Sequence, residues 1–334
     1  MNIISSSSNE FSEKTTSDDV LSKYGKYGEN KAVIITGGNT GLGLETAISL
    51  CKIGADVTIT CRSEDIGNNT IETIKKTCGD GVKISFGVCD LGDLSSVKSF
   101  FNSYNSSNKK CDILINNAGI MALPFNKTKQ NLESQFGVNH IGHFYLTKLF
   151  LPLLSASGTS ESKSRVINVS SVANYVFGPP QGILEDDINA DQKYDKWQRY
   201  GHSKLANILF SNELNKKCSE EGLNVVSSSL HPGTILETDL LRNNKNTASI
   251  LFEFIAFNWH SPKKLFTILF YGMKNTKQGA ATQVLMAIDP NFQPGKWYVD
   301  CKVTSDYLHP MAFDDNLANK LWSLSENILK EKGF

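Results

Sequence analysis

The chain has 334 residues, and Lys plus Arg equals Asp plus Glu at 34 each, so its formal net charge is zero. That length can bury a substantial core, while the balanced charge argues against a nucleic-acid binder, which carries a basic excess or stripe. Seven cysteines, at 51, 61, 78, 89, 111, 218 and 301, include no C-x-x-C pair; this argues against a zinc cluster or a disulfide framework and suits free thiols in a reducing compartment.

Residues 1–28 are Ser-rich and mixed in charge, with no apolar h-region. They read as a flexible leader, not as a secretory signal or membrane anchor, and leave 29–334 as a single domain. KAVIITGG is a β-branched strand run ending in glycines, and GLGLETAISLCKIG follows with helical spacing and Gly54 as a C-terminal cap. DVTITCR reads as a strand, NNTIETIKKTCG as a helix and VKISFGVCDL as a third strand. A helix around LSSVKSFFNSY, the strand CDILINNAG and a long helix through QFGVNHIGHFYLTKLFLPLL come next. The strand SRVINVSS precedes a helix from WQRYGHSKLAN to about Lys217; LNVVSSSLHPG and, near residue 297, GKWYVD complete the strands. Strands alternating with helices of this length imply β-α-β units, hence an α/β domain with a doubly wound parallel sheet and helices on both faces.

Two irregular regions, roughly 174–196 and 234–275, break the rhythm. The second holds Leu251, Phe252, Phe254, Ile255, Phe257 and Trp259. These suit a C-terminal lid over an apolar substrate, and equally a packed helix, a membrane contact or an oligomer contact. Glu253, Lys263 and Lys264 interrupt the apolar run, so it falls short of a transmembrane span. The chain reads as soluble and cytoplasmic.

Within ITGGNTGLGLET, Gly37, Gly41 and Gly43 occupy the turn between the first strand and the first helix, with Asn39, Thr40 and Leu42 between and beside them. Such a turn brings backbone N–H groups and the positive end of a helix dipole to a pyrophosphate. NAD binders place an acid about 20 residues further on to hold the ribose 2′-hydroxyl. Here the second strand ends in Thr60, Cys61, Arg62 and Ser63, with no acid. Arg62 suits a 2′-phosphate, which favours NADP over NAD; the alternative is a solvated surface arginine. Asp90, followed by Leu91 at the end of the third strand, suits an adenine amino group or a helix N-cap.

In WQRYGHSKLAN, Tyr200 and Lys204 stand one turn apart on one helix face. An ammonium close to a phenol favours the phenolate and lowers its pKa from about 10, and a tyrosine so tuned can exchange a proton with a carbonyl or alcohol oxygen. By itself the pair is also a common accident of helix surfaces. His140 and His143, three apart, could pair as metal ligands, although packing roles are commoner and no H-E-x-x-H pattern exists; no metal is expected.

The order Thr36-Gly37-x-x-x-Gly41-x-Gly43, Asn116-Asn117-Ala118-Gly119, Asn139, Ser171 and Tyr200-x-x-x-Lys204 resembles the short-chain dehydrogenase/reductase family over residues 31 to 325 or so. GGNTGLG, TCR, NVSSVA, YGHSKLAN, LHPGT and GKWYVDCK are similar to its retinol dehydrogenase branch. Ser171 and Tyr200 lie 29 positions apart, and the segment with EDDINADQKYDKW resembles that branch's insertion. The resemblance implies a Rossmann-type fold and an NADP-dependent oxidoreductase acting on CH–OH or C=O groups of a small apolar substrate, retinoid-, steroid- or aldehyde-like. It implies Tyr200 as general acid/base, Lys204 as the group that tunes it and holds the nicotinamide ribose, and Ser171, distinguished from Ser170 only by family habit, as the substrate-oxygen donor. Asn139 would anchor a water joining Lys204 to solvent. Asn116, Asn117, Ala118 and Gly119 would line the cofactor cleft, with Pro232, Gly233 and Thr234 on the nicotinamide side, and a homo-oligomer is in keeping with the family. The competing reading is an NADP-binding scaffold or sensor without turnover, which should have lost Ser171, Tyr200 or Lys204; all three are present.

Overall fold

The computed structural model describes residues 11–107, 109–235 and 273–334. The apolar segment with Leu251 to Trp259, and most of the region read as a lid, lie outside the described residues.

Ala32–Thr36 (β1) is buried along its whole length, as a β-branched run must be when both faces of a parallel sheet are covered. Its side chains alternate between two cores. Val33 and Ile35 join Val57 and Ile59 on one face, whereas Ile34 joins Leu114 and Val166 on the other. The further strands are Asp56–Cys61 (β2), Ile84–Val88 (β3), Ile113–Asn116 (β4), Ser164–Val169 (β5) and Val225–His231 (β6). Two-residue strands Thr234–Ile235 (β7) and Met273–Lys274 (β8) pair with each other, and Trp297–Val299 (β9) and Lys302–Val303 (β10) close the main sheet. Its order is β10-β9-β6-β5-β4-β1-β2-β3, parallel except for the β10–β9 pair. Consecutive crossovers run outward in opposite directions from β1 and β4, so the crevice at their C-terminal ends is the switch point where α/β sheets bind ligands.

The helices are Ser17–Tyr24 (α1), Gly41–Lys52 (α2), Glu64–Cys78 (α3), Leu94–Ser106 (α4), Ser134–Phe136 (α5), His143–Ser157 (α6), Ala173–Phe177 (α7), Lys196–Glu220 (α8), Thr276–Ile288 (α9) and Asp315–Glu331 (α10). One core holds α2 and α9 against the sheet; α4, α6, α8 and α10 fill the other. The helix expected through QFGVNHIGHFYLTKLFLPLL is interrupted by a π-turn, Gly137–Gly142, between α5 and α6. Gly142 permits it: a Cβ there would stand 2.5 Å from the Leu91 carbonyl oxygen. Gly54, at φ +78°, follows α2 as expected of a terminating glycine.

The leader expected to be mobile is helical between Ser17 and Tyr24. Thr16 and Asp19 form a capping box, Asp18 pairs with Lys52 at 3.0 Å and Lys277 at 2.5 Å, and Val20 is fully buried in the α2–α9 core. Its polar average composition conceals the apolar contacts of Phe11, Val20, Leu21 and Tyr24 and two ion pairs. α9 and α10 also lie beyond the elements assigned from sequence.

Candidate active site

Three glycines shape the turn at the switch point. Gly37 and Gly41 have φ of +63° and +54°, the left-handed region that glycine enters at little cost. At Gly43 a Cβ would collide with the Gly37 carbonyl and stand 2.6 Å from Asn117 Nδ2. Thr40 is the extended N-cap residue of α2 and makes no side-chain capping bond. Asn39 lies within the turn, and Leu42, in the first turn of α2, faces Gly279 of α9. The first amides of α2 therefore point out of the helix into the crevice, the arrangement that receives a pyrophosphate.

The Thr36 hydroxyl ties this turn to the neighbouring strand. It receives the backbone N–H of Asn117 at 2.9 Å and of Ala118 at 3.0 Å. Asn117 Nδ2 donates to the Thr36 carbonyl at 2.8 Å, and Gln283 Nε2 of α9 donates to Asn117 Oδ1 at 3.3 Å. Asn117, Ala118 and Gly119 thus form one wall of the crevice. Asn116 departs from expectation: it is buried within the sheet, donating to Asn168 Oδ1 at 2.8 Å and Thr147 Oγ1 at 3.0 Å. It occupies a sheet position whose side chain points into the core, where an amide must find partners.

Arg62 is exposed at the end of β2, just before Ser63, the N-cap of α3; among the described residues no carboxylate pairs with it. Asp90 is exposed and accepts the Gly92 amide at 2.9 Å, while Leu91 is buried. Of the two roles left open for Asp90, the N-cap of α4 belongs instead to Asp93.

Tyr200, Lys204, Ser171 and Asn139 converge beside Gly119. A Cβ on Gly119 would lie 3.3 Å from Asn139 Oδ1 and 3.5 Å from Lys204 Nζ. The Asn139 amide is fully engaged: Oδ1 accepts from Ile120 N at 2.8 Å, and Nδ2 donates to Ile120 O at 2.9 Å and Ser203 Oγ at 3.0 Å. Lys204 is buried and donates to Val169 O at 3.0 Å. Burial without a carboxylate partner pulls its pKa down to about 8; two further donor positions are left for hydroxyls. Ser171 accepts the Ala173 amide at 3.2 Å, and its side chain stands beside the Tyr200 phenol, whose ionised form it favours. Ser170 is turned away, donating to the Lys204 carbonyl at 2.6 Å. The serine next to the tyrosine is therefore Ser171.

Tyr200 differs from expectation in its acidity. Burial pushes the phenol up to about 12, and the Ser171 hydrogen bond only partly offsets this. The Lys204 ammonium lies 5.8 Å from the ring centroid. Around the phenol stand Met121, Ala122, Ala173, Val176, Phe177 and Trp197, an apolar cluster. The segment from Asp187 to Lys193 is held to α8 by Arg199, whose guanidinium donates to Asp187 Oδ2 at 2.6 Å and to the Asp187 and Lys193 carbonyls at 2.5 and 3.0 Å.

At the far side, Gly233 has φ +98°, and the Lys274 side chain crosses it so closely that a Cβ would stand 2.6 Å from Lys274 Cδ. Lys274 forms an ion pair with Asp300. Pro232, Gly233 and Thr234 follow β6 in this place, and Thr234 pairs with Met273.

The short chain dehydrogenase family model matches residues 31–182. "Short-chain dehydrogenase TIC 32 A, chloroplastic" of Brassica napus is 37% identical over 300 residues, covering 89% of this chain and 88% of that protein. The chain belongs to the short-chain dehydrogenase family. "Retinol dehydrogenase 14" of Homo sapiens is 38% identical over 315 residues, covering 89% and 85% of the two chains, which agrees with the retinol dehydrogenase-like branch read from the motifs. A solved structure of an uncharacterised protein from Mycobacterium paratuberculosis superimposes with a TM-score of 0.69 at 29% identity, covering 95% of this chain and 98% of that one. The Pseudomonas aeruginosa RhlG/NADP complex shares the fold at a TM-score of 0.59 and 22% identity, with 81% and 96% coverage. As a short-chain dehydrogenase, the chain is an oxidoreductase acting on CH–OH or C=O groups.

Among the described residues of this short-chain dehydrogenase, no helix is long and apolar enough to cross a membrane. Nor do His140 and His143 act as a ligand pair: His140 Nε2 bonds Ser325 Oγ at 2.8 Å, and both His143 nitrogens are engaged elsewhere. The contacts of His143 with Thr36 and Asn139, and of Ser203 with Asn139, were not foreseen from the sequence. The available signal was the i, i+4 spacing of Asn139 and His143, the same spacing that singled out Tyr200 and Lys204.

Proposed function

We propose that the protein is an NADP-dependent reductase or dehydrogenase of apolar carbonyl or alcohol substrates, with Tyr200 as general acid/base. The observation that carries this reading is the buried Tyr200 phenol beside Ser171, clustered with Met121, Phe177 and Trp197 and one helical turn from Lys204, whose ammonium stands beside Gly119. The cradle fits a dinucleotide: outward amides of α2, a wall from Asn117 to Gly119, and an unfilled ammonium at Lys204 for ribose hydroxyls. Arg62, without an acidic partner among the described residues, supports a 2′-phosphate.

A bound nicotinamide supplies the hydride. The chain manages the proton: Tyr200, protonated at neutral pH as any phenol is and held so more firmly by burial, donates to the carbonyl oxygen as charge develops there. Ser171 steadies the same oxygen: one lone pair holds the Ala173 amide, and its O–H turns from the Tyr200 phenol to the substrate oxygen as charge develops there. Trp197, Phe177 and Met121 present apolar surface to the substrate body, which favours retinoid-, steroid- or long-aldehyde-like compounds over polar sugars.

The test is NADPH oxidation with a panel of retinals, steroid ketones, aliphatic aldehydes and polar sugars, with NADH in parallel and Tyr200→Phe as control. Turnover with NADPH on apolar members, lost in the variant, is expected. Tight NADPH binding with no turnover on any member would replace this reading with the scaffold one.

A further inference from the structure

His143 is fully buried where the two halves of the site meet, and hydrogen-bond counting fixes its ring state. The Thr36 hydroxyl has two lone pairs and one hydrogen. Its lone pairs are taken by the Asn117 and Ala118 amides at 2.9 and 3.0 Å. Its hydrogen must therefore be donated, and of the two acceptors in reach His143 Nε2 at 2.8 Å is much closer than Ile115 O at 3.4 Å. With Nε2 accepting, Nδ1 carries the ring's proton and donates to the Asn139 carbonyl at 3.0 Å. The π-turn makes this possible, because it sends the His143 amide to the His140 carbonyl and leaves the ring to reach Asn139. Burial keeps the imidazole neutral, with its pKa lowered to about 4.

We propose that His143 is a positioning residue that couples cofactor binding to proton transfer: its Nε2 orients the Thr36 hydroxyl that holds the Asn117–Ala118 wall, and its Nδ1–H holds the π-turn that presents Asn139. Asn139 in turn grips the Ile120 backbone and Ser203, the residue before Lys204. The inference rests on the dehydrogenase reading for its kinetic consequence but not for its structural one.

The two contacts can be cut one at a time. In His143→Asn the side-chain amide occupies the Nδ1 position and keeps donation to Asn139, while the contact to Thr36 is lost. In His143→Gln the longer side chain places its carbonyl oxygen near the Nε2 position, so Thr36 keeps its acceptor and Asn139 loses its donor. Loss of one buried hydrogen bond is worth about tenfold. His143→Asn should therefore weaken NADPH binding by about tenfold with kcat and its pH profile unchanged. His143→Gln should bind NADPH as the wild type does and lose about tenfold in kcat, with a displaced pH profile. Equal losses in both parameters for both variants, or the reverse assignment, would overturn the proposal. A readout independent of turnover and of the variants' folding is the 15N NMR signature of the His143 ring in the wild-type protein. The Nδ1–H tautomer at pH 6 is expected; an Nε2–H tautomer or an imidazolium there refutes the coupling, even if the chain proves to be no dehydrogenase. Wild-type protein that shows the Nδ1–H tautomer but neither binds nor oxidises NADPH would leave the Thr36–His143–Asn139 link standing, and would overturn both the function assigned above and the coupling that rests on it.

Discussion

Lys204 is the most expensive side chain in the site, and its replacement separates stability from function. Its pKa falls from 10.5 to about 8 because an ammonium is buried with no carboxylate to meet it. At about 1.4 kcal/mol per unit, holding that charge at neutral pH costs about 3 kcal/mol. Lys204→Met keeps the length of the side chain and removes the charge. The Val169 carbonyl would lose the Lys204 bond at 3.0 Å but keep the amide of Asn207 at 3.4 Å, so about 1 kcal/mol is forfeited there. The net expectation is a cofactor-free protein stabilised by about 2 kcal/mol, roughly 3 °C in Tm for a chain of this size. The sign also fixes the pH dependence. A lysine with a folded pKa below its unfolded value destabilises the fold while both states are protonated, and the penalty is relieved as pH rises from about 8 to 10.5. The advantage of the variant should therefore shrink across that window. Urea unfolding at pH 7 and pH 10 measures both quantities, and NADPH titration should show binding weakened in the same variant. A variant less stable than wild type at pH 7, or an advantage unchanged at pH 10, would refute the argument that Lys204 is strained by burial.

Three other expectations follow from named contacts. Ser171→Ala should lower kcat with a carbonyl substrate by about 100-fold, the loss of an oxyanion-type donor. Ser170→Ala should instead cost about 1–2 kcal/mol of stability, since its hydroxyl caps the buried Lys204 carbonyl; steady-state kinetics and thermal unfolding of the two variants distinguish them, and exchanged phenotypes would contradict the assignment. Gly43→Ala should abolish NADPH binding in a fluorescence titration, because the new methyl meets the Gly37 carbonyl and Asn117; retained affinity would show that the turn opens freely. His140, His202 and His231 are held near pKa 3 and His143 near 4 by burial, against 6.5 unfolded. The unfolded chain therefore binds more protons below pH 6.5, and stability should fall between pH 6.5 and 4 by about 1.4 kcal/mol per pH unit for each histidine; a flat urea-unfolding midpoint over that range would be inconsistent with neutral buried rings.

The sheet and its switch point were legible because their signals are local. AVIIT is continuously apolar, Gly37, Gly41 and Gly43 sit where a strand gives way to a helix, and Tyr200 and Lys204 share a helix face. The helix at Ser17–Tyr24 was not legible, since its stability depends on Lys52 and Lys277, far away in sequence, and on Val20, Leu21 and Tyr24 packing on a core built elsewhere in the chain. Asn116 and Asn117 could not be told apart by type or neighbourhood. Only the strand's side-chain alternation, which sends one into the core and the other to the crevice, separates their roles. Ser170 and Ser171 pose the same problem, and the structure resolves it by giving Ser170 to the Lys204 carbonyl and Ser171 to the tyrosine.

The acidity of Tyr200 shows why spacing alone misjudges chemistry. Two residues one turn apart on a helix suggested an ammonium that lowers a phenol, but the actual helix is buried at this turn. Desolvation then acts on both groups, raising the tyrosine and lowering the lysine, and each is driven toward its neutral form. On the proposed mechanism, a neutral Tyr200 of this kind is suited to donating a proton and less suited to accepting one. Proton abstraction from an alcohol requires positive charge near the phenol, which the Lys204 ammonium 5.8 Å from the ring centroid and an oxidised nicotinamide bound in the crevice would supply together. The direction dependence is therefore measurable: the pH at which the oxidative rate is half-maximal should lie well above neutrality in Lys204→Met, where the ammonium is gone, and lower in the wild type. Identical oxidative pH profiles for the two proteins would mean that the ammonium contributes nothing to the ionisation of Tyr200 even when the cofactor is in place.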